Sequence, residues 1–187
     1  MKKPFSIPLA TLPRLPLSPQ VSLGVIRGKQ HKELTELIVR FALCGYFHFI
    51  VGGEWLPDQD SLRRSVRRYT TAVNETLDHL ILGRPSTCLQ LRDQLRMADV
   101  QPHPIFILNF LNRFYDPDVE FSLRERVLNE CCQQLQVLAR TKPVFILIHW
   151  QPTEDYERFF PRLASLAGEI IEVEESSSTE TLQYSLF

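Results

Sequence analysis

Gly28-Lys29-Gln30-His31-Lys32-Glu33-Leu34-Thr35 joins an apolar run, Val21 to Ile26, to an amphipathic helical pattern that starts near Leu34. A turn in this position can cradle a phosphate. The pattern that does so is G-x-x-x-x-G-K-[ST]: glycine lets backbone amides curl around the phosphate, lysine neutralises it, and the hydroxyl binds magnesium. Here only Gly28 and Thr35 match. Glu33 stands at the second glycine position, where a side chain blocks the turn and a carboxylate repels phosphate, and Leu34 replaces the lysine. Lys29 and Lys32 approach from another angle and do not restore the backbone geometry.

Other residues of chemical interest are weaker as motifs. Arg63, Arg64, Arg67 and Arg68 form a basic band beside an apolar stripe of Leu62, Val66 and Tyr69, either a docking strip for DNA phosphates or an acidic partner, or a solvated helix face. Asp58, Asp60, Asp116, Asp118 and Glu120 flank turns and helix starts, where carboxylates cap free amides; this reading is preferred over a metal site. The five histidines stand alone, and His149 ends an apolar run without a catalytic partner in sequence. Neither G-x-S-x-G nor G-x-G-x-x-G occurs, which removes the local signatures of a lipase-like hydrolase and a dinucleotide enzyme. Phe110, Phe114, Tyr115, Trp55 and Trp150 group near strand ends, where aromatic rings fill a pocket or form an interface.

The elements that must position these residues follow from periodicity. Strands near 21 to 27, 46 to 51, 77 to 82, 104 to 110 and 143 to 149 alternate with helices near 32 to 44, 60 to 74, 87 to 97, 122 to 140 and 154 to 167. That alternation predicts a parallel sheet in an α/β fold. Ile105 to Leu108 and Val144 to Ile148 are apolar at consecutive positions, as strands buried on both faces require. Ser122 with Glu125 and Thr87 with Gln90 fit the capping box at helix starts. Residues 169 to 175 and 180 to 187 flank a serine-rich turn and predict an antiparallel hairpin at the sheet edge.

Residues 1 to 20 carry prolines too dense for a helix or a central strand, interleaved with leucines, and read as an extended arm that packs on the domain or a neighbouring subunit. Residues 21 to 187 read as a single α/β domain. With 21 basic against 22 acidic side chains, no global field steers the chain to nucleic acid, and any polyanion contact must be local. Cys44, Cys88, Cys131 and Cys132 lack zinc or disulfide spacing and read as small buried hydrophobes. With no spanning apolar run, the expectation is a cytoplasmic protein without membrane contact.

In this order, the elements and motifs resemble the ATPase core of the RecA superfamily, nearest to the strand-exchange recombinases and KaiC-like proteins, over roughly residues 21 to 187. The resemblance implies a three-layer α/β/α, P-loop NTPase-type domain. It matches Gly28 and Thr35 to the phosphate loop, Glu54 to within one residue of the catalytic glutamate, Ile105-Phe106-Ile107-Leu108-Asn109 to the Walker B strand, and Gln151 to the γ-phosphate sensor. Asn109 replaces the Walker B aspartate and brings no negative charge to magnesium. The resemblance therefore implies a pseudo-ATPase without a cofactor, a recombination or repair type of accessory factor that acts through a protein partner, an active paralogue, further copies of itself, or DNA. Two alternatives stand beside it: a residual ATPase using Lys29 or Lys32 with Glu54, and an unrelated α/β enzyme with its site around Glu54, Asn109 and His149.

Overall fold

The structure is a computed structural model that describes residues 5–8, 19–26 and 31–174. The chain runs through β1 (Phe5–Pro8), β2 (Val21–Ile26), α1 (His31–Cys44), β3 (Phe47–Val51), α2 (Gln59–Val66), α3 (Val73–Asp78), β4 (Leu80–Gly83), α4 (Cys88–Ala98) and β5 (Ile105–Leu108). A 3-10 turn (Phe110–Phe114), α5 (Phe121–Leu138), β6 (Val144–His149), α6 (Glu154–Leu166) and β7 (Glu169–Glu174) follow. The seven strands form one sheet in the order β1-β7-β2-β6-β5-β3-β4, and every neighbouring pair is parallel.

Strands apolar at every position have no face to offer water, and they take the interior of the sheet. All of β5, and β6 up to Ile148, is buried. Alternate side chains feed two separate cores. Val21, Leu23, Ile105, Ile107, Val144 and Ile146 pack with α4, α5 and α6. Phe47, Phe49, Phe106, Leu108, Phe145 and Leu147 pack on the other face with α1 and α2. The second core is aromatic: Phe106 lies 5.3 Å from both Phe41 and Phe145 and 5.5 Å from Phe49, ring centre to ring centre. A fully buried side chain of this size contributes about 2 kcal/mol of burial.

Three expectations change. The helix predicted over residues 60 to 74 is two short helices, because α2 stops at Val66. Beyond that end the Thr70 hydroxyl accepts from the Ala72 amide at 3.1 Å, a local bond that competes with helix. Tyr69 consequently leaves the apolar stripe, is 48% exposed, and donates its hydroxyl to Glu36. The predicted antiparallel hairpin is replaced by a parallel strand, because β7 has β2 on one side and β1 on the other and both of its hydrogen-bonding edges are taken. Residues 180 to 187 lie outside the described residues. Finally, the N-cap of α5 is Glu120, two residues before the Ser122 that the box predicts: Ser122 donates its hydroxyl to Glu120 at 2.6 Å and is not the cap. Thr87 does cap α4, accepting from the Gln90 amide at 3.2 Å.

Within the proline-rich arm, Phe5–Pro8 is the edge strand β1, a place where the missing amide hydrogen of Pro8 breaks no ladder. Arg124 of α5 is 8% exposed; it donates to the Phe114 carbonyl and to Asp155, each at 2.9 Å, and ties α5 to α6. Cys88, Cys131 and Cys132 are buried free thiols, whereas Cys44 is exposed. Burial pushes the Cys132 thiol up to about 11, too high for a reactive thiolate. Among the described residues no helix is long and apolar enough to cross a membrane.

Candidate functional site at the strand carboxyl ends

The strand order brings the carboxyl ends of β2, β6, β5 and β3 side by side, so Thr35, Gln151, Asn109 and Glu54 follow four adjacent strands. Between β5 and β3 the chain path diverges: it leaves β3 toward β4 and β5 toward β6. In an open parallel sheet such a divergence creates the crevice where ligands bind. Here that crevice is filled by backbone.

Asn109 closes it. It ends β5 with φ 56° and ψ 44°, the only left-handed residue other than glycine among the described residues. Asparagine tolerates this region better than most side chains. The turn sends the chain straight into Phe110–Phe114, whose Phe110 and Phe114 rings are fully buried beneath α5 and α6. These two rings are core, not lining of a nucleotide pocket.

Asn109 is held from every side. Its amide donates to the Leu147 carbonyl at 2.7 Å, and its own carbonyl accepts from Asn112 at 3.1 Å. Its side-chain oxygen accepts from the His149 amide at 3.3 Å and lies 2.8 Å from His149 Nδ1. Since a backbone amide can only donate, the atom facing it is the oxygen, and Nδ1 carries the imidazole proton. The Gly52 amide donates to the carbonyl of the residue preceding Asn109, Leu108, at 2.7 Å and holds the loop after β3 against the end of β5. A Cβ on Gly52 would sit 2.4 Å from the Asn109 carbonyl oxygen, and one on Gly53 would sit 2.7 Å from its side-chain nitrogen. Only glycine permits this approach.

Two arginines lock the loop. Arg113 donates to the Gly53 carbonyl at 3.0 Å and reaches the Ser86 carbonyl at 3.5 Å, while Arg84 donates to the Glu54 carbonyl at 3.2 Å. Burial, assisted by the neighbouring Arg84 charge, holds the Arg113 guanidinium below its ordinary pKa, and Glu54 pulls the other way. Glu54 itself is exposed.

The remaining positions at this end are dispersed. Gly28 and Lys29 lie outside the described residues, as do the side chains of Lys32 and Glu33. Leu34, at the lysine position of the phosphate pattern, is 1% exposed and belongs to the aromatic core. Thr35 is half-buried in α1. Gln151 is also half-buried, and its carbonyl accepts from the Thr153 amide at 2.9 Å. Trp150 donates its amide to Ile26 O at 2.8 Å and exposes 43% of its surface.

A magnesium ion at Asn109 would meet a neutral amide whose oxygen already lies 2.8 Å from His149 Nδ1, and Leu34 points into the core. Among the described residues no three His, Cys, Asp or Glu side chains group as a metal site. Asp58 caps α2, accepting from the Ser61 amide at 2.8 Å, and Asp116 accepts from the Asp118 amide at 3.0 Å, the capping role read from sequence.

The arginine band lies elsewhere, on α2 and its end. Arg63 and Arg64 are helical and hydrogen-bond to Asn74 and Ser61, while Arg67 is the C-cap and Arg68 follows it. Arg64, Arg67 and Arg68 are exposed, and none of the four makes an ion pair among the described residues. Sequence reading missed Arg84, Arg113 and the Gly52–Asn109 contact. The signal for the last was present, since paired glycines directly after a strand mark a close backbone approach. The chain matches no protein-family model and no curated protein.

Proposed function

We propose that this protein is a nucleotide-independent member of the RecA-like, three-layer P-loop NTPase type, an accessory or regulatory factor of recombination or repair that acts by binding rather than by hydrolysis. The carrying observation is Asn109: a neutral, left-handed residue fills the ligand crevice of the sheet, with its side chain bonded to His149 and with Gly52 and Gly53 packed on its backbone and amide. The adjacency of the strand ends bearing Thr35, Glu54, Asn109 and Gln151 supports the RecA-like reading, and the filled crevice supports the loss of phosphate chemistry. Phosphoryl transfer depends on positioning and charge neutralisation, and the described residues at this end supply neither to a phosphate.

Function then moves to surfaces. The exposed arginines Arg64, Arg67 and Arg68, with Arg63, form a cationic strip suited to an acidic partner, an active paralogue or a DNA backbone. Calorimetric titration with ATP and magnesium is expected to give no binding heat; micromolar binding, or steady hydrolysis abolished by Thr35→Ala, overturns the proposal. Fluorescent single-stranded DNA tests the strip separately. Binding with a steep salt slope that flattens in the Arg63→Ala, Arg67→Ala double variant assigns it to phosphate contact. Equal binding by variant and wild type leaves the DNA role without support.

A further inference from the structure

The two edges of the sheet are finished differently. β1 ends on Pro8, whereas β4 reads Leu80-Ile81-Leu82-Gly83, with no proline and no charged side chain. Among the described residues β4 pairs with β3 alone, in an unbroken register, so along its outer side the backbone has no strand beside it. Such an edge is a template for another strand, and proteins that keep it single blunt it with charge, proline or a bulge. None of these interrupts β4.

The side chains around this edge are apolar and exposed. Leu82 is 47% exposed, Met97 of α4 74%, and Val100, just beyond α4, 86%. Met97 lines, with Ile81 and Leu82, a cavity of about 260 Å³ beneath β3 and β4, and the Val100 amide donates to the Met97 carbonyl at 3.4 Å, which joins these residues into one surface. The two flanks of α4 differ in charge. Arg92 and Arg96 face α5, where they reach Glu130 at 3.3 Å and 3.6 Å. The flank toward β4 presents Gln94 and Met97, with Gln101 beyond them, and no charged side chain. Exposed apolar side chains without charge are what the centre of a protein interface is made of.

The flanking charges select the partner. Asp78 ends α3 just before the strand, Arg84 follows it, and both are exposed. If two copies of β4 pair antiparallel about a two-fold axis between their Ile81 residues, Leu80 of each lies opposite Leu82 of the other, and Asp78 approaches Arg84 at both ends of the seam. A parallel pairing would instead set Asp78 beside Asp78 and Arg84 beside Arg84, which like-charge repulsion disfavours. Arg84 keeps donors for this contact, since its bond to the Glu54 carbonyl uses one of five N–H groups. We propose that β4 is the interface with a second copy of this chain, an isologous dimer in which the two sheets join antiparallel and Leu82, Met97 and Val100 of each copy close over the seam. A ladder of this length is too short to hold a dimer alone, so the apolar side chains carry most of the affinity. The assignment does not rest on the RecA-like reading, since it uses only the sheet edge and α4.

The test is sedimentation velocity on the full chain across a concentration series. A dimer with a Kd on the order of 10 μM is expected. Leu82→Lys, which sets an ammonium in each half of the seam, and Met97→Lys on the helix flank are each expected to weaken it at least about tenfold. Both side chains are exposed, so lysine is accommodated without unfolding the chain, and the two variants sit on different elements. Asp78→Arg and Arg84→Asp read the register. Each alone places like charges at both ends and is expected to weaken self-association about tenfold, while an equimolar mixture of the two recovers wild-type affinity as a mixed dimer. A monomer at about 100 μM, growth into longer oligomers with concentration, unchanged association in both lysine variants, or a mixture no tighter than its components overturns the proposal.

Discussion

The carboxyl ends of β3 and β5 and the cavity beneath β3 and β4 are built from the same strand, yet they treat polar atoms in opposite ways. At the carboxyl ends Asn109 has its amide, carbonyl and side-chain oxygen bonded, and two glycines press on it without a gap. Five residues before Gly53, on β3, His48 Nε2 is buried without a hydrogen-bond partner among the described residues, as is Gln94 Oε1 of α4. The first arrangement is what a sheet does when its usual ligand crevice has become part of the fold. The second leaves two buried polar atoms unsatisfied at a cost to the fold. Position at the end of a strand therefore does not by itself identify a site.

That contrast can be broken at several points. The largest effect is expected at Gly52→Ala, where the new methyl meets the Asn109 carbonyl rather than a flexible side chain; urea denaturation should show a loss of about 3 kcal/mol. Asn109→Leu should cost about 2 kcal/mol, combining left-handed strain with the lost His149 bond, and it should move the His149 ring resonances while leaving ATP binding absent. Gln94→Leu should go the other way, staying within about 0.5 kcal/mol of wild type or stabilising, because it removes an unpaired buried acceptor. A loss of 2 kcal/mol or more there would mean that the Gln94 oxygen is satisfied within the chain, and the contrast would fail.

His48 supplies a pH test. Its folded-state pKa is depressed below 6.5, mainly by burial, so the unfolded chain binds its proton first as pH falls. Stability from this group is complete above about pH 6.5 and declines as pH drops from there toward the folded value. Denaturation midpoints measured between about pH 7.5 and pH 5.5 should fall, and His48→Phe should flatten that slope. The smallest effect belongs to the arginine strip: Arg63→Ala with Arg67→Ala should change stability by no more than about 0.5 kcal/mol, since these side chains carry no ion pair in the described fold.

Much of the fold was legible because it follows from burial. Ile105–Leu108 and Val144–His149 are strands buried on both faces, and no other structure suits an uninterrupted short apolar run bounded by proline. The break between α2 and α3 was not legible in the same way, because periodicity continues across residues 66 to 71 while the gap between the helices is held by local bonds such as that of the Thr70 hydroxyl with the Ala72 amide. The parallel role of β7 was hidden for a different reason. Its neighbours come from residues 5–8 and 21–26, and strand pairing at that distance leaves no mark on local pattern. The burial of Arg124 left no local mark either, because its partners, the Phe114 carbonyl and Asp155, come from other elements.

The candidate site divides along the same line. The amino-acid sequence by itself determined which groups are present: a neutral Asn109 after an apolar run, an apolar Leu34, a Gly52-Gly53 pair, and a histidine at position 48. Residue identity sets charge and hydrogen-bonding capacity, and no fold can supply what the side chains lack. Tertiary structure alone decided which of those capacities are spent. The Asn109 oxygen meets His149 across the sheet and the glycines seal the crevice, whereas His48 and Gln94 converge from strand and helix on a common space. Satisfaction of a polar atom depends on partners within about 3 Å, and those are brought together by packing between elements far apart in the chain.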